Sequence, residues 1–226
     1  MSRIGTALIA AFISMTLFGC APSQQATQSE SLSREMAEFP KMKVGDKWTF
    51  IYRPSPRTKA GYPRKGYEEV VDVHPDGSWE EIQFFDDDQE KTRYYWNNMF
   101  QVIKGIKIST NEEVKFYRGP DSVLNFPLAI GKKWSDRKLG KSTNEMTYRY
   151  RFEYEVKSFE RIKVKAGTFL AFKIELNYQN VDEKVLGARW TRLFWYAPEV
   201  KKIIKYEPEN TEEVESMEMI DYSPAK

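Results

Sequence analysis

The chain has 226 residues, 41% of them hydrophobic and 30% charged, and its 35 basic side chains nearly balance 33 acidic ones for a net charge of +2. That balance leaves no electrostatic footprint for nucleic acid, so no nucleic-acid partner is expected. Cys20 is the sole cysteine, which excludes an internal disulfide and any cysteine-ligated metal cluster.

Arg3 is the only charge before an uncharged run of fifteen residues, Ile4 to Phe18, the layout of a secretion signal. As a helix this run reaches about 22 Å at ~1.5 Å per residue. The hydrocarbon core is ~30 Å thick, so a cleaved signal is expected rather than a permanent span. The run closes on Leu17-Phe18-Gly19-Cys20, which resembles the bacterial lipobox cut by lipoprotein signal peptidase. The resemblance implies that residues 1–19 are removed and that Cys20 carries a diacylglyceryl thioether and an acyl chain on its new amine. Two or three chains make release from the bilayer negligible. Ala21 occupies the place where Asp resembles an inner-membrane retention signal, so the expected location is the outer membrane, facing the periplasm.

Residues 20–38 are rich in Ser, Gln, Thr and Ala. They offer too little bulk to offset ordering entropy and read as a flexible tether about 23 Å long on average. Composition changes at Phe39. All six tryptophans follow it, and residues 39–226 are expected to form a single β-rich domain. Trp48, Phe50 and Tyr52 alternate with Thr49, Ile51 and Arg53. His74-Pro75-Asp76-Gly77 supplies a turn between Val70–Val73 and Ser78–Phe85. Tyr148, Tyr150, Phe152, Tyr154 and Val156 alternate with Thr147, Arg149, Arg151, Glu153 and Glu155, and Phe172, Ile174, Leu176 and Tyr178 do so with Lys173, Glu175 and Asn177. Period two marks half-buried strands. The expected class is all-β: an antiparallel curled sheet or half-barrel.

Four segment pairs recur in order. Val44-Gly45-Asp46-Lys47-Trp48 matches Ile130-Gly131-Lys132-Lys133-Trp134, and Gly77-Ser78-Trp79 matches Gly167-Thr168-Phe169. Thr92-Arg93-Tyr94-Tyr95-Trp96 matches Thr191-Arg192-Leu193-Phe194-Trp195, and Val102-Ile103-Lys104 matches Ile203-Ile204-Lys205. Residues 42–104 and 128–205 are therefore expected to form two similar meanders. The stretches Pro127-Leu128-Ala129-Ile130-Gly131-Lys132-Lys133-Trp134, Lys165-Ala166-Gly167-Thr168-Phe169 and Trp195-Tyr196-Ala197-Pro198-Glu199-Val200-Lys201-Lys202 resemble bacterial lipoproteins with an uncharacterised β domain, similar to the TapB family. More distantly, the layout is similar to the LolA and LolB lipoprotein carriers. The first resemblance implies no catalytic residue; the second implies a concave face that accepts acyl chains.

Little chemistry is legible. His74 is the only histidine and falls in a turn, so a serine triad and a histidine-based zinc site are not expected. Without a Walker loop or Gly-x-Gly-x-x-Gly, no nucleotide cofactor is expected, and no metal or other cofactor is assigned. Asp86-Asp87-Asp88-Gln89-Glu90 reads as a solvated turn rather than a calcium loop. The stretch Arg53, Arg57, Lys59, Arg64 and Lys65 contains no acid, and it reads either as a solvated loop or as a contact with anionic headgroups. Tyr94, Tyr95 and Trp96, with Trp190, Phe194, Trp195 and Tyr196, place large rings on both strand faces. Either a second layer covers them or they line a groove for an apolar ligand, a glycan or an envelope protein. Binding is expected over catalysis. The alternatives are a structural or assembly lipoprotein, and a hydrolase drawing on two of Glu80, Glu81 and Glu175.

Overall fold

In the second repeat the alternation translates directly into burial: Phe152, Tyr154 and Val156 lie inside, while Arg149, Arg151 and Glu153 are exposed. The computed structural model describes residues 36–54, 62–88, 90–114, 123–141, 147–181, 189–209 and 215–226. The signal, Cys20 and most of the tether lie outside the described residues, as do Arg57 and Lys59.

The elements are β1 (Met36–Ala37), β2 (Lys47–Arg53), β3 (Arg64–Val73), β4 (Trp79–Phe85), β5 (Thr92–Trp96), β6 (Val102–Lys107), β7 (Leu128–Ala129), β8 (Lys133–Lys141), β9 (Thr147–Val164), β10 (Gly167–Asn180), β11 (Arg189–Ala197), β12 (Lys202–Pro208) and β13 (Ser216–Ser223). Apart from the small β1–β7 pair, the strands form one antiparallel sheet in the order β6-β5-β4-β3-β2-β13-β12-β11-β10-β9-β8. The sheet is all-β and open, not closed into a barrel.

Strand spacing shows that it curls. From β4 to β11 is five steps, about 24 Å in a flat sheet at ~4.8 Å per strand. Yet Phe100 lies 5.1 Å from the Trp79 ring of β4 and 6.5 Å from the Tyr196 ring of β11. The two halves therefore face each other across an aromatic core, to which Phe39 and Phe126 add edge contacts at 5.5–6.2 Å. Edge-to-face pairs of this kind contribute ~0.5–1.5 kcal/mol each beyond area burial.

Both halves are meanders, and both begin alike. Gly45 (φ 94°) and Gly131 (φ 83°) each make the left-handed turn that glycine tolerates. Gly45 N–H donates to Val70 C=O at 2.8 Å and Val70 N–H returns a bond to Asp46 C=O at 3.0 Å; Gly131, Val156 and Lys132 repeat this at 2.8 and 2.9 Å. Trp48 then pairs across to Glu68 and Trp134 to Tyr154. A bulge follows Val70 in one hairpin and Val156 in the other. The last matched pair also coincides, with Lys104 over Tyr95 at 5.5 Å and Lys205 over Trp195 at 5.0 Å.

The two middle pairs are displaced. Trp79 lies opposite Val73, and Phe172 opposite Phe159, so the counterpart of Trp79 is Phe172 rather than Phe169. Likewise Glu81 pairs with Tyr94 and Ile174 with Phe194, which makes Trp96 the counterpart of Tyr196. The second hairpin runs longer, and its tip reaches β13, where Ala166 N–H donates to Met219 C=O at 3.2 Å.

Candidate functional site

Three of the seven rings singled out from the sequence are buried by the chain itself, and the other four are half-buried. Phe194 and Tyr196 enter the core, and Trp195, on the opposite face, is 5% exposed. Among the described residues no second layer covers it. Lys173 and Lys205 lie over its ring at 5.6 and 5.0 Å, and its Nε1–H donates to Glu160 Oε1 at 2.9 Å. Two ammonium groups over one indole ring are a cation–π arrangement, a solution that alternation alone did not suggest. Trp96 stacks on Trp79 at 5.3 Å, Trp190 stacks on Tyr178 at 5.1 Å, and Tyr94 and Tyr95 are half-buried.

Two side chains of the basic stretch are similarly committed, and a third residue is held through its backbone. Arg53 pairs with Glu218 at 3.7 Å, Arg64 with Asp87 at 2.6 Å, and Lys65 N–H donates to Asp86 Oδ1 at 3.0 Å. The acidic turn thus answers Arg64 with Asp87, and Glu90 accepts from Ser109. His74 does form a turn, donating its N–H to Ser78 C=O at 2.8 Å. Its ring, Asp72 and Glu80 bring ligand atoms within 4.8 Å of one another. Glu80 is bonded to Arg93 at 2.9 Å and lies 3.4 Å from His74 Nε2, so an ion-pair network accounts for the convergence. Glu80, Glu81 and Glu175 do not converge: Glu81 is buried in the core, Glu80 holds Arg93, and Glu175 accepts from Asn177 at 2.9 Å near Lys157.

A cleft lies where the two meanders meet. With a volume of about 520 Å³, it has Phe39, Met99, Leu124, Phe126 and Trp134 as its apolar wall, with Asn98, Gln101, Asn125, Ser135 and Asp136 around them. Trp134 also borders a second hollow of about 420 Å³, shared with Lys133, Glu153 and Asn177. Hydrogen bonds hold the cleft amides in place: Asn97 Nδ2 donates to Gln101 Oε1 at 3.0 Å, and Asn98 Nδ2 to Asp76 C=O at 3.3 Å. Lys132 Nζ donates to Asn125 C=O, Asn125 Oδ1 and Pro127 C=O at 2.6, 3.0 and 2.9 Å, and burial holds its pKa below the usual lysine value. Trp134 stacks on Tyr154 at 5.1 Å with planes 5° apart, and its buried indole N–H meets no acceptor among the described residues. Only the repeat motif containing Trp134 drew attention to this place in the sequence. Phe39, Leu124 and Phe126 carry no periodic signal, because they lie in segments between strands.

Beneath the cleft sits an ionic cluster. Lys202 Nζ lies 2.7 Å from Glu68 Oε2 and 2.7 Å from Glu81 Oε2. Tyr52 OH donates to Glu68 at 3.0 Å and Gln83 Nε2 to Glu81 at 2.7 Å. Lys202 also lies 4.6 Å from the Trp48 ring centroid and 5.4 Å from that of Trp96, and Trp96 packs on Phe100 at 5.5 Å, which packs on Phe126 of the cleft at 5.8 Å. Burial pushes the Glu68 carboxyl up to about 7, against the pull of the Lys202 ammonium. Burial alone would lower Lys202, but the two carboxylates outweigh it and raise it. Next to Lys202, Lys201 Nζ reaches Asp46 Oδ2 at 2.6 Å, and Trp48 Nε1–H donates to Val200 C=O at 2.8 Å. These contacts pin the turn before β12 onto the first meander.

No family model and no curated protein sequence matches the chain. Among solved structures it is similar to a protein predicted to be exported, with a YmcC-like fold, from Bacteroides fragilis, at 15% identity and a TM-score of 0.49, covering 83% of this chain and 99% of that one. It is also similar to a predicted lipoprotein from Parabacteroides distasonis, at 13% identity, a TM-score of 0.48 and coverage of 82% and 97%. A third similar chain is the hypothetical lipoprotein YmcC from Escherichia coli, at 11% identity, a TM-score of 0.43 and coverage of 92% and 100%. These descriptions speak of a YmcC-like fold rather than of TapB or the LolA and LolB carriers, and no ligand or partner follows from them.

Proposed function

We propose that the chain is a lipid-anchored protein of the bacterial envelope, held through Cys20 at the outer membrane, and that it binds a short neutral saccharide in the cleft between its two meanders. The cleft lining carries this reading. Its volume of about 520 Å³ falls within the range of small-ligand sites. Half of its lining is apolar and includes three aromatic rings, and the rest offers amide, hydroxyl and carboxylate groups without a single Lys or Arg. An acyl chain has no use for five polar groups, and an anion would meet the Asp136 carboxylate in the lining. A sugar ring presents both an apolar face for stacking and a rim of hydroxyls, which is the complement of this lining.

The test is to titrate the full chain in mild detergent with a panel of neutral di- and tetrasaccharides and with dodecanoate, reading tryptophan fluorescence. A saturable response to a saccharide that is lost in Trp134→Ala, but kept when the distant Lys65 is changed to Gln, supports the reading. A response to dodecanoate alone, or to none of the probes, overturns it. The rival assembly role has one observation in its favour: β8 ends the sheet. However, the exposed Lys133 and Arg137 on that strand are the charges that keep an edge strand from recruiting another.

A further inference from the structure

The cluster beneath the cleft contains more acid than base. Glu81 is fully buried, and the side chains of Lys202 and Glu68 are 7% and 11% exposed. The neighbouring elements do not supply the missing positive charge. β2 contributes Tyr52 and Trp48, β4 contributes Gln83 and Trp79, and β5 contributes Tyr94. Tyr206 of β12 faces Glu68, and Arg192 of β11 lies beyond it, 5.2 Å over the Tyr206 ring and paired with Glu215. The buried residues of β13, Met217 and Met219, carry no charge. Lys202 is thus the only cation bonded to either carboxylate among the described residues. A second uncompensated carboxylate in this setting is better held as the acid.

The fold itself does not require charge here. At the equivalent positions of the second meander, Tyr154 lies opposite Trp134 and Ile174 opposite Val156, where the first has Glu68 opposite Trp48 and Glu81 opposite Val70. An uncharged solution is therefore built into the same chain, and buried ion pairs are often no more stabilising than such a replacement.

We propose that Glu68, Glu81 and Lys202 form a proton-carrying latch between the two meanders. With one proton bound, the cluster is neutral and closed. When that proton leaves, a surplus buried charge loosens β12 from β3 and β4 and disturbs the cleft through Trp96 and Phe100. The elevated pKa of Glu68, about 7, places the transition near neutral pH. The native value lies above the ordinary 4.5 of an unfolded glutamate, so the native state holds the extra proton. The stabilisation is complete below that ordinary value and is lost as pH rises through about 7. A protein outside the cytoplasm meets the pH of the medium, which gives such a latch a signal to read.

The latch does not depend on what fills the cleft, and its test needs no ligand. Carboxyl carbon NMR of the full chain should show Glu68 titrating near 7; a midpoint between 4 and 5 overturns the proposal. Amide exchange in β12, corrected for intrinsic rates, should be at least tenfold faster at pH 8.5 than at pH 6. Glu68→Gln should abolish that ratio, while Glu153→Gln on the surface should preserve it. An unchanged ratio in Glu68→Gln, or none in the parent chain, refutes the latch. The NMR titration decides the matter even if the variant folds poorly.

Discussion

Asp46 is the most informative side chain in which to exchange a single atom. It is 1% exposed, and its two oxygens meet three donors. Oδ2 accepts from Lys201 Nζ at 2.6 Å and Lys43 N–H at 3.0 Å, and Oδ1 from Ala225 N–H at 3.1 Å. Asp46→Asn keeps the shape but turns one oxygen into a donor. The better placement leaves the remaining oxygen with Lys201 and Lys43 and sets the new NH2 against the Ala225 N–H. One bond is then lost, two donors face each other, and the charge on the Lys201 bond is gone. Hydrogen bonds to charged groups are worth ~1.5–3 kcal/mol and an unsatisfied buried donor costs ~1–3, so a loss of about 2–3 kcal/mol is expected. For a domain of this size that lowers Tm by about 5–10 °C. Thermal unfolding followed by tryptophan fluorescence measures it, and a cycle with Lys201→Met isolates the pair. The pH dependence adds a sign. Burial would raise Asp46, but Lys201 and the two backbone N–H groups outweigh it and hold the carboxyl below 3.8. Its contribution is present above 3.8 and is lost as pH falls through the lower native value. The parent chain should therefore lose stability in acid more steeply than Asp46→Asn. A variant within about 0.5 kcal/mol of the parent, with the same acid limb, would refute the reasoning.

Two glycines should respond differently to alanine. At Gly66 a new Cβ would lie 2.5 Å from Tyr52 Cε2, forcing aside the ring whose hydroxyl serves Glu68, so Gly66→Ala should cost about 1–3 kcal/mol in urea unfolding. At Gly131 nothing lies within 4 Å, and only φ 83° opposes the change, so about 1 kcal/mol is expected. Trp195→Phe should leave the fold intact but return the Glu160 carboxyl towards its ordinary range, because the indole N–H is the main influence lowering it; carboxyl NMR reads the change. Cys20→Ser should leave residues 1–19 attached and prevent acylation, which mass spectrometry of the membrane fraction detects.

The sequence carried whatever depends on local periodicity. Alternation along 147–156 and 172–178 marked β9 and β10, because a strand sends successive side chains to opposite faces whatever its neighbours do. The Gly-x-x-Trp repeats located both meander starts, since a left-handed turn needs glycine wherever it occurs. The middle repeats slipped because a lengthened hairpin shifts the pairing without altering either strand's pattern. The rings of β11 looked like a layer or a groove, because a sequence does not reveal that Lys173 and Lys205 from neighbouring strands lie over Trp195.

By itself the sequence determined an all-β chain with one cysteine and no legible catalytic set, and its first twenty residues resemble an export and acylation signal. Only the tertiary structure decided that the sheet curls until β4 and β11 share Phe100, that Phe39, Phe126 and Trp134 meet in one cleft, and that Glu68, Glu81 and Lys202 are buried together. Glu68 and Lys202 are 134 residues apart. Their meeting is set by strand order and curvature, which arise from long-range packing and leave no period in the chain to read.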